Sequence, residues 1–296
     1  MQVEIYLNVV KWSPLDPFVG GTEETVIQTA ETLVKLGYKV IVYYDQSTLE
    51  LNGVTYKNRK EYPCNYPEVL IAFKAIPKVL AKRNIYITND INDRAEHLPY
   101  FDWIVGISEW HLDYLLGRTP KTVVIPPACW VNRFETTAPK VPLSCLYSSS
   151  PDRGLEFLLS IWENVHKRTG AKLYVTYGAK VAPIPGVTFL GKLSEPEMEK
   201  LYKISKYWLH PCQGVELFCI SGYKAMCAKC IPIYIPNMAL SETIKYGFKC
   251  TPENFEETVI NVIKNDLKPE IPKDLHFKDW MDVTKELVIL IMKKYS

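Results

Sequence analysis

Short runs of apolar, mostly β-branched residues alternate with longer amphipathic segments from the beginning of the chain to its end. The short runs have the length of buried strands, and the longer segments place apolar residues three and four positions apart, as in helices that bury one face. Strands that alternate with helices favour parallel sheets, so the pattern predicts an α/β protein. We predict strands at 3–9, 39–44, 69–73, 85–88, 103–107, 122–125, 143–147, 173–177, 187–190, 207–210 and 231–235, a hairpin at 49–56, and helices at 22–36, 109–116, 154–168, 195–204, 241–246, 255–264 and 283–294.

The periodic pattern lapses near the middle of the chain, at Pro126-Pro127 and again at 136–142, where proline and small polar residues cluster. A chain of 296 residues is long enough for two domains of ordinary size. We therefore predict an N-terminal domain at 1–135 and a C-terminal domain at 136–278, each a Rossmann-like arrangement of parallel strands and helices. The remaining segment, 279–296, carries an apolar stripe with the spacing of a core-facing helix, formed by Trp280, Val283, Leu287, Leu290 and Ile291.

The composition excludes several classes of protein. The net charge is +2 and no dense basic tract accompanies it, so we expect no nucleic-acid partner. The longest apolar run, 287–292, is too short to cross a bilayer, and we expect no transmembrane segment, although peripheral contact with a membrane stays open. The stretch MQVEIYLNVV predicts a strand and not a signal peptide, because no basic region precedes its apolar residues, and the expected location is the cytoplasm.

Cysteine and histidine spacing gives little support for a metal site. The eight cysteines lie mostly in apolar strand or helix settings, which predicts reduced, buried thiols. Cys227 and Cys230 form a CxxC pair, but the sequence offers neither a second pair nor a nearby histidine to complete a zinc site. His111 and His210 have no partner at the spacing of metal ligands, and we interpret both as packed or partly exposed. The sequence thus predicts no metal and no cofactor.

The most informative stretch of the chain runs from Gly214 to Pro232. A single acid, Glu216, precedes an apolar run that predicts the start of a helix reaching about Cys227, and a strand follows directly. A carboxylate beside the unpaired N–H groups of a helix start can hold a sugar hydroxyl, while the N–H groups hold a phosphate. Gly20-Gly21 follows the first strand and opens the first helix. Together these features predict a protein that handles a nucleotide-linked sugar.

Four segments, in an order and spacing that cover nearly the whole chain, resemble the GT-B glycosyltransferases, in particular glycosyltransferase family 4. They are GGTEETVIQTAETLVKLGYKVIVYYD at 20–45, YSSSPDRGLEFLLSIWENV at 147–165, VTFLGKLSEPEMEKLY at 187–202 and the stretch with Glu216. The resemblance implies two Rossmann-like domains facing each other across a cleft, with the helix of 279–296 crossing back to the first domain. It also implies transfer of a sugar from a UDP- or GDP-linked donor to a hydroxyl of a glycan, lipid-linked or protein-linked acceptor, with retention of configuration and without a metal.

By the same resemblance, the second domain binds the nucleotide-sugar donor. Arg153 would act in catalysis by placing its guanidinium on the phosphates, where negative charge builds as the sugar leaves. Gly154 would let the backbone approach the donor closely. Glu216, the second catalytic candidate, would contact the donor sugar, and the backbone of Phe218 and Cys219 would face a phosphate.

Each of these roles has a structural alternative. Arg153 could be a surface residue paired with Asp152 or Glu156, and Glu216 could do no more than stabilise a helix start. Gly20-Gly21 lacks the full GxGxxG of dinucleotide-binding proteins. The pair would either bring backbone N–H groups near the donor's distal phosphate or serve as a turn.

The sequence also departs from the family pattern. Lys224 stands where the family's second acid, which usually holds the ribose, is expected; lysine donates but cannot accept a hydrogen bond, so contact with phosphate and simple solvation both stay open. Asn89 takes the place of a histidine often found in the first domain; it and His97 would line the acceptor side, with Asp90 as a candidate general base. Two other functions stay open: a nucleotide-sugar epimerase of the same fold, and a catalytically inactive relative that binds sugar or nucleotide.

Overall fold

The computed structural model describes residues 1–63, 66–93, 98–176 and 182–293. The chain forms two compact units, the first made of Met1–Ala128 with Lys278–Ser296 and the second of Cys129–Phe277. Each unit has one sheet of mainly parallel strands joined by helices, which confirms the predicted α/β class. The α-helices of the described residues are α1 (Gly21–Lys35), α2 (Val131–Phe134), α3 (Leu155–Thr169), α4 (Glu195–Ile204), α5 (Ile220–Cys227), α6 (Leu240–Thr243), α7 (Phe255–Lys264) and α8 (Trp280–Met292).

The strands of the first unit form a single sheet. In the described residues they are β1 (Gln2–Leu7), β2 (Lys39–Tyr44), β3 (Leu49–Leu51), β4 (Val54–Asn58), β5 (Val69–Phe73), β6 (Arg83–Ile87), β7 (Trp103–Gly106) and β8 (Thr122–Val124). Their spatial order is β3-β4-β2-β1-β5-β6-β7-β8, and every pair except β3–β4 is parallel. The antiparallel pair is the predicted hairpin, in which Asn52 (φ 51°) and Gly53 (φ 79°) both adopt the left-handed conformation of a tight two-residue turn. The chain leaves β1 towards β2 and returns on the other side at β5, so a topological switch point lies between β1 and β5.

The last helix, α8, packs against α1 within the first unit. Its predicted apolar stripe is buried throughout, as the exposure of Trp280, Val283, Leu287, Leu290 and Ile291 confirms. Arg83, at the start of β6, donates a hydrogen bond to the carbonyl oxygen of Ile291 near the end of α8. The helix begins at Trp280, within the predicted C-terminal segment of 279–296 but before the periodic stretch of 283–294, because the Asp279 carboxylate accepts backbone hydrogen bonds from its first turn at 2.8 and 3.1 Å. Among the described residues, α8 included, no helix combines the length and the apolar character needed to cross a bilayer.

The central strand β1 carries a buried carboxylate, Glu4, which is 4% exposed. Its Oε1 accepts a hydrogen bond from Gln2 Nε2 at 3.0 Å, whereas its Oε2 has no hydrogen-bond partner among the described residues. Burial raises the pKa of Glu4 above its ordinary value of 4.5, and the opposing effects of Gln2 and Lys57 are smaller. The folded protein therefore binds a proton at Glu4 more tightly than the unfolded chain does.

We expect Glu4→Gln to remove a pH-dependent part of the stability. A carboxyl group whose pKa is raised by folding stabilises the native state below its unfolded pKa, and this contribution is lost as the pH rises through the folded pKa. Between about pH 4 and about pH 8, urea unfolding should show that the wild-type protein loses on the order of 1 kcal/mol relative to the variant. Glu50→Gln, which alters an exposed carboxylate on β3, is the control and should follow the wild type. Identical pH responses of the wild type and Glu4→Gln would contradict a charge buried at this strand.

The second unit has a sheet that is parallel throughout its described strands. They are β9 (Val141–Tyr147), β10 (Lys172–Val175), β11 (Val187–Phe189), β12 (Ser205–His210), β13 (Ile231–Tyr234) and β14 (Phe248–Lys249), in the spatial order β11-β10-β9-β12-β13-β14. Leu158 and Trp162 of α3 and Phe255 and Val259 of α7 belong to the buried core beside this sheet. The chain leaves β9 towards β10 and returns at β12 on the other side, which places a switch point between β9 and β12.

The two units divide between residues 128 and 129, whereas the sequence pattern predicts a boundary after 135. The short helix α2 accounts for the difference, because it packs against α4 and α5 of the second unit. Arg133 on α2 forms ion pairs with Glu195, at 3.3 Å, and with Glu199 on α4. Phe134 packs edge-on against Tyr202, with ring centroids 5.7 Å apart. A helix of one turn leaves no periodic signal in the sequence, so its attachment to the second unit could not be predicted.

The seven cysteines within the described residues are buried and carry free thiols, as predicted. The CxxC thiols have different surroundings. Cys227 Sγ lies 3.6 Å from Cys129 Sγ, whereas Cys230 Sγ lies 3.3 Å from the carbonyl oxygens of both Tyr202 and Ser205. The two thiols of the pair therefore contact different parts of the chain.

Candidate active site

Two loops meet at the carboxyl end of the second sheet, on either side of its switch point. Because β9 and β12 are adjacent and parallel, the residues that follow them lie at the same edge of the sheet. The loop after β9 carries Arg153 and Gly154, and the loop after β12 carries Glu216. Open α/β sheets bind their ligands at such an edge. The fold thus brings together the two strongest candidates from the sequence, which are far apart along the chain.

Gly154 permits the close approach of these loops. It ends a 3-10 turn, Pro151–Arg153, with φ 92°, a conformation that favours glycine. A Cβ atom at this position would stand 2.4 Å from the carbonyl oxygen of Pro211, in the loop after β12. The close backbone approach expected at Gly154 therefore occurs within the protein's own chain, and an approach to the donor stays a prediction.

The side chain of Arg153 reaches from one loop to the other. One guanidinium nitrogen, Nη1, donates a hydrogen bond to the carbonyl oxygen of Val215, directly before Glu216, while Nε lies 3.6 Å from the Asp152 carboxylate. Burial by itself would lower the pKa of Arg153, but Glu216, followed by Cys212 and Asp152, raises it on balance, so the guanidinium stays charged. The pairing with Asp152 that the sequence left open is present, and the same guanidinium also contacts the loop that carries Glu216. With 30% of its side chain exposed, Arg153 is accessible to an anionic ligand.

Hydrogen bonds fix the loop that carries Glu216. The Ala239 N–H donates to the carbonyl oxygen of Glu216 at 3.2 Å, and Asn237 Nδ2 donates to that of Gly214 at 2.6 Å. Both donors belong to the segment after β13. The loop is therefore held by the ends of three neighbouring strands: β12, which it follows, β9 through Arg153, and β13 through these two donors. The Glu216 carboxylate is 13% exposed and lies 3.6 Å from His210 Nε2. A carboxylate held in this way can accept hydrogen bonds from the hydroxyl groups of a sugar.

His210, the last residue of β12, lies at the centre of a polar cluster that the sequence analysis did not identify. Its side chain is fully buried, and its ring stacks on Trp208 with centroids 4.7 Å apart. Nδ1 lies 3.2 Å from Ser149 Oγ, which in turn lies 2.9 Å from Ser221 Oγ. Nε2 lies 3.8 Å from Cys219 Sγ. His210 is packed, one of the two settings predicted for it, and its partners come from the loops after β9 and β12. The run of serines after β9 was the one signal of this cluster in the sequence.

Helix α5, which follows the loop that carries Glu216, begins later than the sequence predicted. Its first residue is Ile220, so the expected helix start directly after Glu216 was wrong. Cys219 precedes the helix with φ 71° and ψ 71°, a left-handed conformation that is rare outside glycine and that occurs often at ligand sites. Burial raises the pKa of the Cys219 thiol well above its ordinary value of 9.0, which keeps the thiol neutral. The phosphate contact expected for the backbone of Phe218 and Cys219 stays a prediction.

Lys224, which stands where the resembling family has its second acid, lies on α5. Its Nζ is 6.0 Å from the centroid of the Phe134 ring on α2, at the outer limit of a cation–π contact. The sequence left two settings open for the Lys224 ammonium group, contact with phosphate and solvation. The contact with Phe134 is a third. Because lysine cannot accept a hydrogen bond, Lys224 does not replace the ribose-binding carboxylate that the family has at this position.

In the first unit, the loop after β1 leads into α1 at the sheet's switch point. The carbonyl oxygen of Gly20 accepts the N–H of Glu24 at 2.9 Å. The Glu23 carboxylate lies over Gly20, since a Cβ atom there would be 2.5 Å from its Oε2. Carboxylates in a first helical turn stabilise the helix start but repel an anion bound at the same place. The distal-phosphate contact of Gly20 and Gly21 stays a prediction, and it requires the Glu23 side chain to turn away.

The acceptor-side candidates of the first unit follow β6. Asn89 Nδ2 donates a hydrogen bond to Thr22 Oγ1 on α1 at 2.7 Å, which fastens the end of β6 to the first helix. Asp90 lies 3.8 Å from Lys74 Nζ. The acceptor contact of Asn89 and the general-base role of Asp90 stay predictions, and His97 lies outside the described residues.

Several solved structures resemble this chain along nearly all of its length. AviGT4, a glycosyltransferase involved in avilamycin A biosynthesis, is 14% identical with a TM-score of 0.67, covering 98% of this chain and 96% of that one. WaaG, a glycosyltransferase involved in lipopolysaccharide biosynthesis, is 12% identical with a TM-score of 0.67, covering 99% and 100%. HepE of Anabaena, solved in complex with UDP-glucose, is 14% identical with a TM-score of 0.65, covering 89% of each chain. At these identities the likeness establishes the fold, and the chain has the GT-B fold.

Among curated proteins, the chain matches one named "Putative glycosyltransferase ORF300", from Acidianus filamentous virus 1, with 27% identity over 169 residues. The match spans 54% of this chain and 54% of that protein, so the chain covers about half the length of this relative. No protein-family model matches the chain.

Proposed function

We propose that the protein is a glycosyltransferase that moves a sugar from a nucleotide diphosphate to a hydroxyl group of an acceptor. The observation that carries this proposal is that Arg153, from the loop after β9, donates a hydrogen bond to the carbonyl oxygen of Val215, directly before Glu216, at the switch point of the second sheet. The fold supports it, because the similar structures include glycosyltransferases and one of them was solved with UDP-glucose.

Breakage of the bond to the sugar places negative charge on the departing phosphate and positive charge on the sugar ring. The guanidinium of Arg153, whose direction the Val215 carbonyl fixes, donates forked hydrogen bonds to the phosphate oxygens and stabilises their charge. Glu216 accepts hydrogen bonds from the sugar hydroxyls, and its charge stabilises the positive ring. These two residues act on opposite ends of the bond that breaks.

The finer parts of the proposal come from the family resemblance. The donor is UDP- or GDP-linked, and the acceptor is a glycan or a lipid-linked or protein-linked hydroxyl. The sugar keeps its anomeric configuration, and the departing phosphate takes the acceptor's proton, so that the step needs neither a side-chain nucleophile nor a metal ion. Asn89 and Asp90 of the first unit orient the acceptor.

A binding screen followed by an assay with the donor alone tests this function. Thermal shifts with nucleoside diphosphates and nucleotide sugars identify the donor, because a ligand of the folded state raises its melting temperature. With the donor alone, a transferase hydrolyses it slowly or leaves it intact, whereas an epimerase changes the sugar. Adding glycan, lipid-linked and protein-linked acceptors then gives a labelled product if the proposal holds. A donor that binds but is neither transferred, hydrolysed nor epimerised would identify an inactive relative instead.

Glu216→Gln should weaken binding of the complete nucleotide sugar while leaving that of the bare nucleoside diphosphate unchanged. The loss should be about 10- to 100-fold, as expected when hydrogen bonds to a charged group are removed. Titration calorimetry with both ligands measures the difference. Glu163→Gln, an exposed carboxylate on α3, is the matched control. An equal loss of both ligands would contradict the sugar-binding role of Glu216.

A further inference from the structure

Three side chains of different chemistry converge at the end of β12: the imidazole of His210, the carboxylate of Glu216 and the thiol of Cys219. Their ligating atoms all lie within 4.8 Å of one another. His210 Nε2 is 3.6 Å from Glu216 Oε2 and 3.8 Å from Cys219 Sγ. With metal–ligand bonds of about 2.0 to 2.3 Å, neighbouring ligand atoms of a tetrahedral zinc ion stand about 3.3 to 3.6 Å apart. Both distances from His210 are within a few tenths of an ångström of that arrangement.

We propose that His210, Glu216 and Cys219 bind one Zn²⁺ ion, and that the bound ion inhibits sugar transfer by occupying Glu216. The first statement is independent of the proposed function, whereas the second rests on it. A thiolate, an imidazole and a carboxylate together favour zinc over the hard cations Mg²⁺ and Ca²⁺, which prefer oxygen ligands alone. Three protein ligands leave one position of the ion to water, and the proton that Cys219 gives up on binding passes to the solvent.

The surroundings of His210 match those of a metal-binding histidine. Such residues donate a hydrogen bond from one ring nitrogen so that the other presents its lone pair to the ion. Nδ1 of His210 lies 3.2 Å from Ser149 Oγ, which can accept this hydrogen bond, and Nε2 faces Glu216 and Cys219. The stacked indole of Trp208 fixes the plane of the ring, with an interplanar angle of 11°. The histidine is therefore oriented before any ion binds.

The other two ligands are also held in place. The main chain at Glu216 is hydrogen-bonded to the segment after β13, which fixes the backbone that carries its carboxylate. Cys219 keeps its thiol in the cluster through an unusual backbone conformation, with φ 71°. Cys219 is 7% exposed and the side chain of His210 is fully buried. The side chain of Glu216 is 13% exposed, so the ion enters from the side of Glu216.

Zinc at this site conflicts with the sugar-binding role of Glu216. A carboxylate oxygen that coordinates the ion has one lone pair fewer and less negative charge to offer a sugar hydroxyl, so it binds the sugar less tightly. The bound ion also cancels the negative charge that would stabilise the positive sugar ring. Donor and zinc therefore compete for one carboxylate, and zinc raises the KM for the nucleotide sugar.

Direct titration of the metal-free protein with ZnCl₂, in competition with a chromophoric chelator, tests the binding site. We expect one ion per chain, and at least about tenfold weaker binding in Cys219→Ser and in His210→Gln, since each removes one ligand. Cys212→Ser is the matched control, because Cys212 is a buried thiol of the same loop that lies outside the group of three ligands. Circular dichroism establishes that each variant is folded. Wild-type affinity in Cys219→Ser, or an equal loss in Cys212→Ser, would overturn the site.

Co²⁺ in place of zinc gives a second readout that does not depend on affinity. A cobalt ion bound by Cys219 should produce a sulfur-to-metal absorption band in the wild type and in Cys212→Ser. The band should be missing in Cys219→Ser. A cobalt complex without this band in the wild type would exclude the thiol as a ligand.

Transfer kinetics test the inhibition separately. Zinc at a few times its Kd should raise the KM for the nucleotide sugar severalfold, Mg²⁺ should not, and excess EDTA should restore the original value. In Cys219→Ser the KM should not respond to zinc at these concentrations. If zinc binds to the three residues but leaves the KM unchanged, the inhibitory role is wrong; if EDTA abolishes transfer and zinc restores it, the ion is a cofactor and not an inhibitor. If no transfer is found with any donor, the titration still decides the binding site on its own.

Discussion

Arg153→Ala should lower kcat for sugar transfer by about two to three orders of magnitude, the loss measured when one group that stabilises transition-state charge is removed. The departing phosphate gains charge as its bond to the sugar breaks, so the guanidinium binds it more tightly in the transition state than in the ground state. The effect should therefore appear mainly in kcat and less in KM. Initial rates at several donor concentrations separate the two constants, and circular dichroism with thermal unfolding establishes that the variant is folded.

Two further variants sharpen this test. Arg168→Ala removes a surface arginine that pairs with Glu257 on α7, and it should keep the parent kcat. Arg153→Lys keeps the positive charge but not the fork of N–H donors, so it should recover only part of the lost rate. A parent rate in Arg153→Ala would remove Arg153 from the phosphate site. A change in KM alone would limit its role to binding of the ground state.

Gly154→Ala should destabilise the second unit by about 2 to 5 kcal/mol, combining left-handed backbone strain with overpacking. Glycine here has φ 92°, and an added Cβ would stand 2.4 Å from the carbonyl oxygen of Pro211. The two loops would have to move apart, which would also separate Arg153 from the Val215 carbonyl. Urea unfolding followed by fluorescence measures the loss, and the transfer assay should show reduced activity in the fraction that remains folded.

Gly191→Ala separates the two causes. Gly191 belongs to the same unit and also has a positive φ, 70°, but an added Cβ would meet no atom of the described residues within 4 Å. This variant should lose only the backbone contribution, about 1 to 2 kcal/mol. If both substitutions cost the same, the contact with Pro211 does not constrain the loops.

The sequence predicted the fold of this protein well because its strongest signals are local. Alternating apolar runs and amphipathic segments predicted the α/β class, and the Asn52-Gly53 pair predicted the hairpin, since each depends only on neighbouring residues. The starts of two helices were predicted less accurately than the elements themselves. The start of α8 depends on the Asp279 carboxylate, and the start of α5 on the left-handed Cys219, neither of which alters the apolar periodicity.

The candidate site was predicted only in part, because most of its contacts join residues distant in the sequence. Arg153 was identified through resemblance to a family and Glu216 first through its place before an apolar run, but their meeting depends on the order of β9 and β12 in the sheet. The cluster around His210 draws Ser149 from one loop and Cys219 from another, so no spacing rule could find it. The Glu23 carboxylate over Gly20 was also missed, since first-turn acids are common in helices for reasons unrelated to ligands.

The first unit is assembled from both ends of the chain, whereas the second is continuous. During synthesis on the ribosome, β1 to β8 emerge first, but the face of α1 that α8 covers stays exposed until Trp280–Met292 has been translated. The hydrogen bond from Arg83 to the carbonyl oxygen of Ile291 likewise forms only after Ile291 has been translated. The second unit can complete its core while the first is still unfinished, so the domain made earliest should be the last to reach its native state. A nascent chain stalled before Trp280 would therefore expose apolar surface and be a preferred substrate for chaperones.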